Sequence, residues 1–267
     1  MSATAPLPAN AAPLLRADRN GIATLTLNRP AARNALSLAL MEAVTAELAA
    51  IAQDRAVRAV ILAGAGPGFC AGHDLRELRA NQTAEFYRAT FTQCGAMMRA
   101  ILRLPQPVIA AVHGIATAAG CQLVATCDLA VAGAGAHFAT PGVNIGLFCS
   151  TPMVALSRAV SRKAAMEMLL TGDMIDAETA RDLGLVNRVV EDGAVMEAAC
   201  ALAGKIAAKS PLTLAIGKEA FYRQAEMGID DAYDYTAEVM TRNMLAADAA
   251  EGIDAFLGKR QPVWCGA

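Results

Sequence analysis

The chain has 267 residues, of which 55% are hydrophobic, 18% charged and 4% aromatic, with a net charge of −2. That balance supplies a core for one large α/β domain and leaves no basic face for nucleic acid or an anionic membrane. The scarcity of aromatics and the wealth of Ala and Leu disfavour an all-β sandwich. Seven Cys at 70, 94, 121, 127, 149, 200 and 265 form no C-x-x-C or His/Cys ladder. Their odd number points to reduced thiols in an intracellular protein, with no metal site.

Residues 1–13 are Ala/Pro-rich and read as a disordered tail. No apolar run is long enough to span a membrane. Strands are expected from Leu14 to Asp18 and from Gly21 to Asn28, joined by an Asn20-Gly21 turn. Pro30 ends the second. Ser37 caps a helix in which Met41, Val44, Leu48 and Ile51 recur at helical spacing. Val57 to Ala63 reads as a buried parallel strand, followed by a Gly-rich loop from Gly64 to Asp74.

A long helix is expected over residues 83–103 and a buried strand from Val108 to Val112. A second Gly/Ala segment, His113 to Leu123, turns from strand into helix. Asp128 to Ala132 and His137 to Ala139 read as short strands. From Thr151 the pattern is almost entirely helical. Asp176 caps one helix and Gly184 ends it, Ser210-Pro211 starts another, and residues 230–258 complete the tail. The expected organisation is a core over residues 14–200 and a C-terminal helical region over 201–267. Alternating strands and helices imply a mostly parallel sheet.

The two Gly-rich segments share a design: each follows a buried strand and runs into a helix. Small residues there let backbone N–H groups approach a ligand, and the helix N-terminus adds partial positive charge. One N–H from each, aimed at one point, would make an oxyanion hole. Close packing of strand on helix is the competing explanation. Neither segment has the G-K-[ST] ending of a phosphate loop or a G-x-G-x-x-G leading into a helix.

The segments N-R-P-A-A-R-N-A-L-S (28–37), G-F-C-A-G-H-D-L (68–75), H-G-I-A-T-A-A-G-C-Q-L (113–123), C-D-L-A (127–130), F-A-T-P-G-V-N-I-G-L (138–147) and T-G-D-M-I-D-A (171–177) occur in a fixed order. In that order and spacing the chain resembles the enoyl-CoA hydratase/isomerase (crotonase) superfamily over roughly residues 14–262. The resemblance implies an α/β, ClpP-like fold of stacked β-β-α units with a C-terminal helical trimerisation region. It implies a homotrimer or dimer of trimers binding an acyl-CoA or enoyl-CoA thioester. Coenzyme A would arrive as part of the substrate, with no further cofactor. The compartment would be the cytoplasm in a bacterium or the mitochondrial matrix in a eukaryote.

The implied oxyanion donors are the backbone N–H groups of His73 and Ala119. Ala32, Arg33, Asn34, Ala35 and Leu36, with Ala71, would hold the adenine and pantetheine. Gly72, Asp74, Leu75, Gly120, Gly142 and Cys149 complete the implied substrate-binding set. Phe256 and Lys259 would reach the CoA of a neighbouring subunit.

A hydratase of the family uses two glutamates, and the matching positions here are Gln122 and Gly142. Gln does not accept a proton near neutrality, and Gly has no side chain. Hydratase activity is therefore expected to be weak or absent. Gln122 could instead orient water, bond a substrate oxygen or complete a polar network. His73 could transfer a proton or line the pocket. Cys149 lacks a paired base and reads as packed. His113 and His137 read as structural, Asp74 as a loop brace and Asp128 as a backbone cap. Three functional readings stay open: an enzyme acting on acyl-CoA, for instance by thioester hydrolysis or decarboxylation; an acyl-CoA-binding protein; and a structural subunit whose pocket is filled by Phe148 and Met153.

Overall fold

In the computed structural model residues 12–267 are described, so all but the last two residues of the expected tail lie outside them. Ala12 and Pro13 are fastened to the sheet, their carbonyls accepting from Asn28 Nδ2 at 2.9 Å and Asn28 N at 2.7 Å. Strands β1 (Leu14–Arg19) and β2 (Ile22–Leu27) form the expected hairpin. Asn20 and Gly21 both have positive φ, 52° and 74°, as a turn matched to strand twist requires. Helix α1 (Leu38–Gln53) follows, with the Ser37 side chain accepting from Leu40 N. Then come β3 (Ala59–Gly64), α2 (Leu75–Ala80) and α3 (Ala84–Arg103).

The next units are β4 (Val108–Val112), β5 (Ile115–Thr117) and α4 (Ala119–Thr126), then β6 (Leu129–Gly133) and β7 (His137–Ala139). A 3-10 turn over Pro141–Ile145 leads to α5 (Pro152–Ala159) and α6 (Arg162–Thr171). The chain continues through β8 (Ile175–Asp176), α7 (Ala177–Asp182), β9 (Arg188–Val190) and α8 (Val195–Ala207). It closes with α9 (Pro211–Gln224), α10 (Ile229–Met244) and α11 (Ala247–Leu257).

Two sheets are stacked. One runs β1-β2-β3-β4-β6-β9 and the other β5-β7-β8. All pairs are parallel except β1–β2 and β7–β8. The chain visits the first sheet, then the second, then a helix, most plainly in β4–β5–α4. This is the expected stack of β-β-α units. Strand β3 is buried on both faces, as a parallel sheet requires. Val60 and Leu62 enter the main core with Leu25, Met97, Phe138 and Leu156. Ile61 and Ala63 face the other way, against Val195, Ala199 and Ala203 of α8.

The structure corrects several expectations. The stretch after Thr151 is not uniformly helical. Ile175 pairs with Phe138, and β9 adds an edge to the large sheet beside β6. Strands this short carry too little periodicity to read. The segment His113–Leu123 contains β5 before its helix, and the loop ending at Asp74 is followed at once by α2. Residues 230–258, expected to complete the helical tail, do so as the two helices α10 and α11. The expected boundary at residue 200 falls inside α8, whose apolar face completes the core as far as Ala203. Among the described residues no single helix is long and apolar enough to cross a membrane.

Candidate functional site

Three loops meet where the strands end. The first, around Pro30–Leu36, turns through two left-handed residues, Arg33 at φ 50° and Asn34 at φ 55°. Asn34 is fully buried and explains the turn. Its Oδ1 accepts from Arg29 N at 2.9 Å, and its Nδ2 donates to Ala65 O at 2.8 Å and Gly68 O at 2.9 Å. An Asn side chain satisfies a left-handed backbone locally and ties it to the second loop. Ala71 N donates to Arg33 O at 3.0 Å and Leu36 N to Gly72 O at 2.7 Å. The structure thus brings Ala32, Arg33, Ala35 and Leu36 beside Ala71 and Gly72.

Asp74 holds the end of the second loop. Its Oδ1 accepts from Arg76 N and Glu77 N to cap α2, and its Oδ2 pairs with Arg29 at 2.8 Å. Burial works against its ionised form, but the bonds to Arg29 and to the helix N–H groups outweigh it, and its pKa lies below the usual carboxylate range. Arg29, which sequence reasoning passed over, also donates to Ala35 O. One guanidinium therefore locks the first loop to the second. Leu75, the first residue of α2, is 53% exposed.

The third loop is the entry to α4. Cys70 N donates to Ile115 O at 3.1 Å, Thr117 N to Cys70 O at 2.9 Å, and Thr117 Oγ1 to Ala71 O at 3.1 Å. The approach is as tight as backbone allows. A Cβ on Gly120 would lie 2.1 Å from Cys70 O, and one on Gly72, at φ +94°, would lie 2.9 Å from Ala118 Cβ and 3.3 Å from Ala119 N. Ala118, before α4, sits at φ 51°, ψ −116°, a region costly for any residue with a Cβ. The first N–H of α4, that of Ala119, thus sits next to Gly72 of the second loop.

Two donors are left open by this arrangement. Leu36 N donates to Gly72 O, and Asp74 N donates to Leu36 O at 3.1 Å. In that parallel bridge the N–H of His73 faces away from Leu36. Ala119 N is the first of α4, where no intrahelical acceptor exists. Neither N–H donates to any of the described residues. Two preorganised donors on abutting turns, one at a helix N-terminus, can stabilise negative charge on an oxygen.

Neither His73 nor Gln122 offers an ionised side chain near neutrality. The His73 ring stands edge-on to Phe91, centroids 5.3 Å apart. Both ring nitrogens are buried without a partner among the described residues. Burial pushes its pKa down to about 4; the neighbouring Leu36 backbone opposes this without reaching hydrogen-bonding geometry. Gln122 is buried on α4, its Oε1 3.9 Å from Cys94 Sγ, and its Oγ-bearing neighbour Thr126 bonds back to the Gln122 carbonyl.

Gly142 is covered. A Cβ there would lie 2.6 Å from Leu147 O and 2.8 Å from Cys149 Sγ. Leu147 N donates to Gly142 O at 2.9 Å, fixing the loop above it. Burial raises the Cys149 thiol pKa, only partly offset by the Gly142 backbone, so it stays protonated near neutrality.

Other expected residues fall elsewhere. His113 Nε2 lies 2.8 Å from Gly66 O and His137 Nδ1 3.0 Å from Gly135 O, both structural contacts. Asp128 accepts from Val108 N at 2.7 Å, as a backbone cap would. Phe256 is 83% exposed and lines a cavity of about 550 Å³ with residues of α9, α10, α11 and Trp264, none from the glycine turns. Lys259 follows α11 at φ 51°. Within one chain the structure does not bring Phe256 to the turns.

A stack of β-β-α units with two open N–H groups on abutting glycine turns defines a class of protein that can hold an oxygen carrying negative charge. The family model described as enoyl-CoA hydratase/isomerase matches residues 17–267, and the chain belongs to that family. It is 45% identical over 245 residues to the human protein named enoyl-CoA hydratase domain-containing protein 3, mitochondrial, covering 92% of this chain and 81% of that one. It is 36% identical over 250 residues to 2,3-dehydroadipyl-CoA hydratase of Escherichia coli K12, covering 93% and 97%. Among solved structures, an enoyl-CoA hydratase of Mycobacterium smegmatis superposes with a TM-score of 0.92 at 55% identity, covering 94% of this chain and 98% of that one. The human domain-containing protein 3 superposes with a TM-score of 0.92 at 44% identity, covering 94% and 100%.

Proposed function

We propose that this chain binds an acyl-CoA thioester with its carbonyl oxygen between the N–H groups of His73 and Ala119, and that it hydrates enoyl-CoA weakly or not at all. The observation that carries this reading is the pair of open donors in a chain that has Gln122 and Gly142 at the positions where a hydratase of the family has carboxylates. The donors favour an enolate or a tetrahedral adduct, and a missing donor of this kind typically costs about 3–4 kcal/mol in the transition state. Neither Gln122, an amide, nor His73, a weak base with a pKa of about 4, accepts a proton as a carboxylate would.

Ala32, Arg33, Ala35, Leu36 and Ala71 would receive the adenine and pantetheine, and Gly72 and Gly120 permit the close backbone approach. The reading calls for no metal or redox cofactor. The exposed Phe221, Tyr233, Met240, Leu245, Phe256 and Leu257 form the kind of apolar surface that subunits cover. Assembly as a homotrimer or dimer of trimers would bury it and carry Phe256 and Lys259 toward a neighbour's CoA. The mitochondrial and bacterial relatives fit a matrix or a cytoplasmic location equally.

Within this reading the protein either turns over an acyl-CoA by chemistry that needs no glutamate, such as thioester hydrolysis or decarboxylation, or binds it without turnover. A filled pocket is disfavoured, because Phe148 and Met153 are 43% and 39% exposed rather than packed inward. The test is incubation with saturated and 2-enoyl-CoA thioesters, read by mass spectrometry, beside a calorimetric titration. Binding with water not added is the expected result. Fast hydration would overturn the assignment of Gln122 and Gly142, and absence of binding would overturn the reading whole.

A further inference from the structure

Helices α3, α9 and α10 border a cavity of about 1100 Å³ that contains no residue of the glycine turns. Arg99 and Arg103 of α3, Arg223 of α9 and Arg242 of α10 line it together. Glu219 is the one acidic side chain in the lining. Among the described residues no carboxylate forms an ion pair with any of these guanidiniums, Glu219 included.

Such a set works against itself until an anion joins it. Arg99 and Arg103 stand one turn apart on the same face of α3, where like charges repel. The walls between the guanidiniums are apolar, with Leu102, Leu104, Leu212 and Ile216. A cleft of one sign of charge with low-dielectric walls focuses its field and concentrates counter-ions. Arg223 is also held in place: its guanidinium lies 4.7 Å from the centroid of the Tyr235 ring. Stacking of that kind fixes the guanidinium and leaves its N–H donors free. Tyr222, another lining residue, donates to Asp128 and ties this wall to the core. Of the apolar residues proposed to be covered on assembly, Leu245 alone lines the cavity, so the two surfaces share an edge and no more.

We infer that this cavity is a second binding site, separate from the glycine turns, for a phosphate monoester carried on an apolar body. A phosphate monoester brings roughly two negative charges and three acceptor oxygens at neutral pH, where a carboxylate brings one charge and two oxygens. Three oxygens engage more than one guanidinium fork at a time, and the dianion answers the excess of arginine over Glu219. Leu102, Leu104, Leu212 and Ile216 receive the apolar body. The volume suits a small molecule, whose sites typically span about 300–1000 Å³. An ester bridging α3 to α9 and α10 clamps the C-terminal helices to the core and so stabilises the folded chain.

The test titrates octyl phosphate, octanoate and inorganic phosphate calorimetrically into the intact protein, with and without an excess of butyryl-CoA. Octyl phosphate should bind at about one per chain, roughly tenfold more tightly than octanoate or phosphate, the worth of one further charge-assisted hydrogen bond. It should raise the thermal midpoint, and butyryl-CoA should not displace it. Arg103→Gln and Arg242→Gln alter exposed side chains on two different helices, and each should weaken octyl phosphate roughly tenfold. Added salt should weaken binding to the native protein more than to either variant. Phosphatidylcholine vesicles carrying phosphatidic acid should leave the protein in the supernatant, because a cleft between helices takes an ester from solution. Sedimentation that Arg103→Gln abolishes would overturn the assignment to a free ester. No binding of octyl phosphate, octanoate binding as tightly, displacement by butyryl-CoA, or an affinity unchanged in both variants would each overturn the inference.

Discussion

Lys218 Nζ lies 2.6 Å from Asp128 Oδ2, both side chains nearly sealed, and this pair joins the C-terminal helices to the core. The same ammonium donates to Ile101 O at 2.9 Å and Gln106 O at 3.1 Å, and Tyr222 OH donates to Asp128 Oδ1 at 2.8 Å. Burial lowers the Lys218 pKa although Asp128 opposes it. Helix α9 is therefore held at the end of α3 by a charge that has left water.

Removing either partner strands the other. Asp128→Ala and Lys218→Met should each cost about 3–5 kcal/mol in urea unfolding. The double substitution should cost less than the sum, since the pair is in direct contact. Additive losses would show that the pair does not couple.

Restoring a carboxylate at position 142 should not restore hydration. Any side chain there meets Leu147 O and Cys149 Sγ. Gly142→Glu should lower stability by about 1–3 kcal/mol, read as a drop in thermal midpoint, with no gain in water addition to crotonyl-CoA.

Relieving the backbone at the entry to α4 should do the opposite. Ala118 holds φ 51°, where glycine is free of the Cβ penalty. Ala118→Gly should raise stability by about 1 kcal/mol, read by thermal unfolding, and a fall in the midpoint would show that the Ala118 methyl contributes more by packing than its backbone costs.

Acid should weaken the fold through His73. Its folded pKa of about 4 lies below the ordinary value of about 6.5, so the unfolded chain binds the extra proton first. The neutral ring's contribution is complete above about pH 6.5 and is lost as pH falls toward 4, by up to about 3 kcal/mol. The pH dependence of urea unfolding should flatten over that interval in His73→Phe, and an unchanged profile would contradict the assignment.

Much of this was legible locally. Ser37, Asp176 and Ser210 each accept from a first-turn N–H, as their positions foretold. Asn20-Gly21 makes its turn, and both glycine segments end a strand and open a helix. Arg29 gave no such signal, because a loop arginine becomes a brace only when Asp74 arrives from 45 residues away. The same holds for β8 and β9, which exist only because β7 and β6 offer them an edge.

The sequence by itself determined the family, the β-β-α order, the caps, and the absence of carboxylates at 122 and 142. These are properties of residue type and short spacing, written in local sterics and hydrogen-bonding capacity. Tertiary structure alone decided that Gly142 lies under the Leu147–Cys149 loop, that Lys218 finds Asp128, and that the His73 ring packs edge-on to Phe91 with its nitrogens buried and unpaired among the described residues. Those outcomes depend on which distant segments share a volume, and packing and desolvation settle that only when the whole chain has closed.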